Sequence, residues 1–73
     1  MALKTMEAVR SNVKRLRQIR GWTQRELAER AGVHREEIAR LEGNPKNFPH
    51  GPTLFAIERL ADALEVDVQD LLA

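Results

Sequence analysis

The sequence predicts an all-α fold of five helices, and three observations predict it. Apolar residues recur at three- and four-residue steps in successive windows, with no strand-like alternation. Residues that start and stop helices punctuate those windows. Ala, Leu, Arg and Glu are abundant, while the aromatic residues are only Trp22, Phe48 and Phe55, a balance that favours packed helices over a sheet. At 73 residues the chain is expected to form one domain, 1–73, near the size at which a single core only just suffices.

Each helix is justified by its own residues. In the first, Met6, Val9, Val13, Leu16 and Ile19 form one apolar stripe, and Gly21 stops it. The stretch "WTQRELAER" follows, with Thr23 as N-cap, Glu26 three residues on as its capping-box partner, and Trp22 stapling onto Leu27. Leu27, Ala28 and Ala31 continue the buried side, and Gly32 supplies a left-handed turn residue at the end. The third helix begins at once, with Val33 placed to staple onto Ile38. After Leu41 the pattern breaks at "GNPKNFPHGP", a loop with two Gly and three Pro. Pro52 and Thr53 open a fourth helix with the stripe Leu54, Ile57, Leu60, Ala61 and Leu64. Asp67 caps a short fifth turn, with Asp70 in the box position and Val66 stapling onto Leu71.

Composition excludes several classes of function. Without cysteine there is neither a disulfide framework nor a Cys-based zinc site, and His34 and His50 are too few for a metal cluster, so no metal or cofactor is expected. No apolar run approaches the roughly 20 residues of a membrane span and no secretory segment is evident, which predicts a cytoplasmic protein with no membrane partner. There is no Ser/His/Asp set, no Gly-rich phosphate loop and no paired-carboxylate pocket, so the chain is not expected to be an enzyme.

The net charge of +1 conceals a polarity. Residues 1–50 hold eleven Lys/Arg against six Asp/Glu, whereas residues 51–73 hold Arg59 alone against five acids. A basic front and an acidic rear suit a module that turns one face to a polyanion, although an unevenly charged solvated surface would read the same way.

The second and third helices, each about eight residues and joined by a tight Gly turn, make a helix-turn-helix over about residues 23–42. The wider pattern, "TQRELAERAGVHREEIARLEGN" and then "PTLFAIERLADALEVDVQDLL", resembles the lambda-repressor-like (Xre/Cro) helix-turn-helix family from about Val9 to Leu72. The resemblance implies a compact lambda-repressor-like DNA-binding domain whose third helix enters the major groove. Its length and Asn-containing loop are most similar to restriction-modification controller proteins and small phage and plasmid repressors.

The third helix carries two adjacent acids, Glu36 and Glu37, where a polyanion should dock. With Arg35 as origin, Ala39, Glu36 and Arg40 fall within about 140° around the helix, while Ile38 and Leu41 lie on the opposite side. Glu37 falls off the outward face, at the third helical position, where its carboxylate can accept from free amides near His34. The family's usual base-contacting positions match Arg35, Glu36 and Arg40. Arginine forks onto guanine and a carboxylate can accept from the cytosine amino group, so these charged residues point to G·C-containing half-sites. Alternatively Glu36 simply pairs with Arg40, four residues on. His34 matches the family's Ser or Thr N-cap and can cap or touch a phosphate.

The backbone-gripping candidates are Gln24 at the start of the second helix, His34, and Asn44, Lys46 and Asn47 in the loop, where the resemblance implies phosphate contacts. It also pairs Glu42 with a helix-one arginine, here Arg17, as a structural ion pair. The implied partner is double-stranded DNA, bound as a homodimer whose reading helices enter successive major grooves about 34 Å apart. Phe55, Val66, Val68, Leu71 and Leu72 are the candidate dimer interface, unless Leu71 and Leu72 close the monomer's own core. The same fold serves protein-interaction modules such as antitoxins, which leaves an unidentified protein partner as the alternative.

Overall fold

The computed structural model describes residues 3–43 and 51–73. Within them are five helices: α1 (Leu3–Ile19), α2 (Gln24–Ala31), α3 (Arg35–Glu42), α4 (Leu54–Leu64) and α5 (Val68–Leu72). The chain is all-α, as its periodicity predicts.

The helix starts follow from local chemistry. At α2 the Glu26 amide donates to Thr23 Oγ1 and the Thr23 amide to Glu26 Oε1, both at 3.1 Å, a complete capping box. Thr53 Oγ1 accepts from the Ala56 amide at 3.1 Å and opens α4. At α5 the Asp67 amide donates to Asp70 Oδ2 at 3.0 Å. His34 occupies the N-cap position of α3 but makes no side-chain cap bond. Glu37 is half-buried in the narrow cleft formed with Val33, Ile38, Pro52 and Ala56.

Three helix ends share one device. Gly21 and Gly32, at φ near +70°, each turn the chain left-handed, and the next amide reaches back five residues: Trp22 to the Arg17 carbonyl and Val33 to the Ala28 carbonyl. The end of α4 makes the same closure, Val66 to the Ala61 carbonyl at 2.9 Å, but the left-handed residue is Glu65 at φ 58°. A side chain in that region crowds its own backbone, so α4 ends under strain that glycine would not carry.

One core joins all five helices: Val9 and Val13 from α1, Leu27, Ala28 and Ala31 from α2, Ile38 and Leu41 from α3, Ile57, Leu60, Ala61 and Leu64 from α4, and Leu71 from α5. Burying each of the Val, Leu and Ile side chains stabilises by roughly 1.5–3 kcal/mol, which conformational entropy largely offsets. The Asn12 side-chain amide donates to the Leu71 carbonyl at 3.1 Å and ties α5 to α1. Met6 packs so closely on Gly51 that a Cβ there would lie 2.6 Å from its sulfur, so α1 holds the chain as it enters α4.

Three expectations are corrected. Ile19 and Leu54, assigned to buried stripes, are 69% and 64% exposed. Each lies at a helix end and about 80° around its helix from the buried line, where no neighbouring helix covers it. Leu71 is fully buried and cannot join an interface patch; it closes the monomer's own core. Val66, Val68 and Leu72 are half-buried against that core, which leaves Phe55, 64% exposed, as the outward member of the expected dimer set.

Candidate nucleic-acid interface

α2 and α3 are held by a buried polar knot. Glu42, at the end of α3, has a side chain only 3% exposed, and Arg17 of α1 meets it with two prongs: Nε to Oε2 at 2.8 Å and Nη2 to Oε1 at 2.9 Å. The third guanidinium nitrogen, Nη1, donates to the Trp22 carbonyl at 2.7 Å, and Gln24 Nε2 donates to Glu42 Oε1 at 3.2 Å. One carboxylate is thereby tied to the end of α1, to the turn after it through Arg17, and to the first residue of α2. The hydrogen bond from Arg17 to Glu42 raises the guanidinium's pKa against the opposing effect of burial. Around the knot, Trp22 is flanked by two cations, with the Arg30 guanidinium 4.4 Å and that of Arg20 5.3 Å from its ring centre.

This scaffold fixes the outward face of α3. Arg35, Glu36 and Arg40 are all exposed, with half-buried Ala39 among them, while Ile38 and Leu41 point into the core. Thr23, the N-cap of α2, Gln24 and Arg25 of α2 and Arg35 of α3 line an open concavity of about 450 Å³. Here the first amides of α2 meet two guanidinium-bearing side chains. Thr23 satisfies the Glu26 amide, whereas the amides of Gln24 and Arg25 stand in the first turn, where no intrahelical acceptor exists. First-turn amides at a positive helix end beside arginines are the chemistry that binds a phosphate.

The candidate residues thus fall into three groups. Arg35, Glu36 and Arg40 share one exposed face, with exposed His34 at its start. The Gln24 side chain is turned inward to Glu42, so any phosphate contact at this position comes from its main-chain amide. Asn44, Lys46 and Asn47 lie outside the described residues. Sequence reasoning missed Arg25; the available signal was its place directly after Gln24 in the exposed first turn of α2.

A family profile described as "Helix-turn-helix" matches residues 13–71, which takes in the C-terminal part of α1, all of α2, α3 and α4, and most of α5. The chain belongs to the Xre/lambda-repressor-like helix-turn-helix family, a family of DNA-binding regulators. No curated protein and no solved structure matches the chain. Among the described residues, no helix is long and apolar enough to cross a membrane.

Proposed function

We propose that the chain is a sequence-specific transcriptional regulator that inserts α3 into the major groove of a palindromic operator and binds it as a homodimer. The observation that carries the reading is the shared exposed face of Arg35, Glu36 and Arg40, with small Ala39 among them permitting close approach to base edges. Arg35 and Arg40 fork onto guanine acceptors, and Glu36 accepts from a cytosine amino group. The Gln24 amide, Arg25 and His34 hold phosphates on one side of the groove. Asn44, Lys46 and Asn47 hold them beyond the end of α3. One helix of this length spans only a few base pairs, which is why two copies are needed to select a site in a genome. Such a regulator works in the cytoplasm.

Selecting bound duplexes from a random pool, followed by footprinting, tests this reading. The expected product is a two-fold symmetric, G·C-containing site. On that site Arg35→Ala should cost about 1–3 kcal/mol and relax preference at one base position. Lys46→Ala should weaken all duplexes alike and make the salt dependence shallower by about one phosphate contact. If Arg35→Ala weakened cognate and random DNA equally, the base-reading role would be wrong.

A further inference from the structure

The outer side of α4 has a pattern that DNA reading does not use. Its inner side buries Ala56, Ile57, Leu60, Ala61 and Leu64. On the opposite side, Phe55, Glu58, Arg59 and Asp62 are exposed and line one shallow surface concavity. Arg59 lies over the Phe55 ring at 4.9 Å, and its guanidinium rests against Gly32 in the turn before α3. The stripe therefore presents an aromatic ring, one cation and two acids beside the turn that leads into the reading helix.

We propose that this face receives a second copy of the chain, with the two α4 helices antiparallel across a two-fold axis and Arg59 of each copy paired to Asp62 of the other. The inference rests on the homodimer reading above and names its interface. Charge complementarity identifies the occupant. A two-fold between identical antiparallel helices sets each residue opposite one at a fixed summed position. The register that joins Arg59 to Asp62 also sets Glu58 opposite half-buried Ala63 and brings Phe55 to the C-terminal end of the partner's α4. The Arg59–Asp62 pair thus occurs twice across the axis. The neighbouring register, which joins Arg59 to Glu58, instead sets the Phe55 ring against the Asp62 carboxylate. α5 offers no comparable surface, because Leu71 is fully buried and Val68 and Leu72 pack on the core.

Sedimentation equilibrium of the full chain without DNA tests the interface, using Arg59→Asp, Asp62→Arg and the double exchange, each with its helical circular dichroism checked. Either single exchange sets like charges opposite each other in both pairs and should weaken self-association by at least about tenfold. The double exchange restores opposite charges and should return association to within about threefold of the parent. A parent that stays monomeric at roughly 100 μM, single exchanges without effect, or a double exchange no better than the singles would each overturn the proposal. Arg59 also contacts Phe55 and Gly32, so if Arg59→Asp fails to fold, Asp62→Arg and Phe55→Ala carry the test. Both alter exposed side chains and should weaken association; unchanged association in both overturns the interface. Fluorescence anisotropy with a random-sequence duplex at low salt separates this proposal from the DNA reading. A parent that dimerises but has no duplex affinity sinks the DNA reading and leaves the interface standing, and a monomeric parent that binds duplex does the reverse.

Discussion

Arg17, in the last turn of α1, and Arg20, just past its end, each meet a glutamate, and the two pairs differ in almost every physical respect. Arg17 and Glu42 are 12% and 3% exposed and joined by two hydrogen bonds below 3 Å, with further bonds to the Trp22 carbonyl and from Gln24. Arg20 and Glu65 are 32% and 78% exposed and approach only to 3.9 Å. Arg20 instead donates a 2.5 Å hydrogen bond to the Leu64 carbonyl at the end of α4, and it also lies over the Trp22 ring. The comparison teaches that an ion pair matters through the desolvated groups it satisfies. The buried Glu42 would be stranded without its partner, whereas water readily replaces the partner of Glu65.

The largest expected effect breaks the buried pair. Glu42→Ala leaves the Arg17 guanidinium and the Gln24 amide without their acceptor and should destabilise by about 3–5 kcal/mol. In a domain of this size that lowers the melting temperature by more than about 12 °C. An unchanged melting temperature would mean that the knot contributes nothing to folding.

Next comes Arg20→Ala, which removes the bond to the Leu64 carbonyl and one cation over Trp22. The expected loss is about 1–2 kcal/mol, measured by urea unfolding. Trp22 is the sole tryptophan, so its fluorescence should shift in the folded variant. A loss as large as that of Glu42→Ala would erase the contrast between the two arginines.

Double-mutant cycles sharpen the comparison further. The coupling between Arg17 and Glu42 should exceed about 2 kcal/mol, and that between Arg20 and Glu65 should stay below about 0.5 kcal/mol. The smallest effect has the opposite sign. Glu65→Gly gives up a weak surface pair but removes the left-handed strain at φ 58°, so it should stabilise by about 0.5–1 kcal/mol. Destabilisation there would show that the carboxylate matters more than the backbone.

Much of the fold is legible residue by residue. Thr23 with Glu26, Gly32, Thr53, and Asp67 with Asp70 each act within three or four residues of their partners, so their helix boundaries can be read directly. The stop at Glu65 is not legible, because glutamate is no turn signal and the left-handed conformation is imposed by the closure of α4 on Val66. Ile19 and Leu54 fit their stripes by spacing, yet spacing does not say where a neighbouring helix ends. At the candidate site, periodicity separates the exposed Arg35, Glu36 and Arg40 from buried Ile38 and Leu41. It gives no hint that Gln24 turns inward or that Arg25 borders the concavity beside Arg35, since both depend on how α2 meets α3.

The sequence by itself determined the helices, every cap named above except Glu65, and the polarity of α3. Those features arise from hydrogen bonds and side-chain spacings within one or two turns, and they do not depend on the rest of the chain. Only the tertiary structure decided which apolar residues find cover, which acceptor Arg17 and Gln24 share, and that Leu71 belongs to the core while Phe55 does not. Those outcomes depend on distances between helices separated by tens of residues, and a carboxylate or a leucine has no fixed role until packing has excluded water from it or left it exposed.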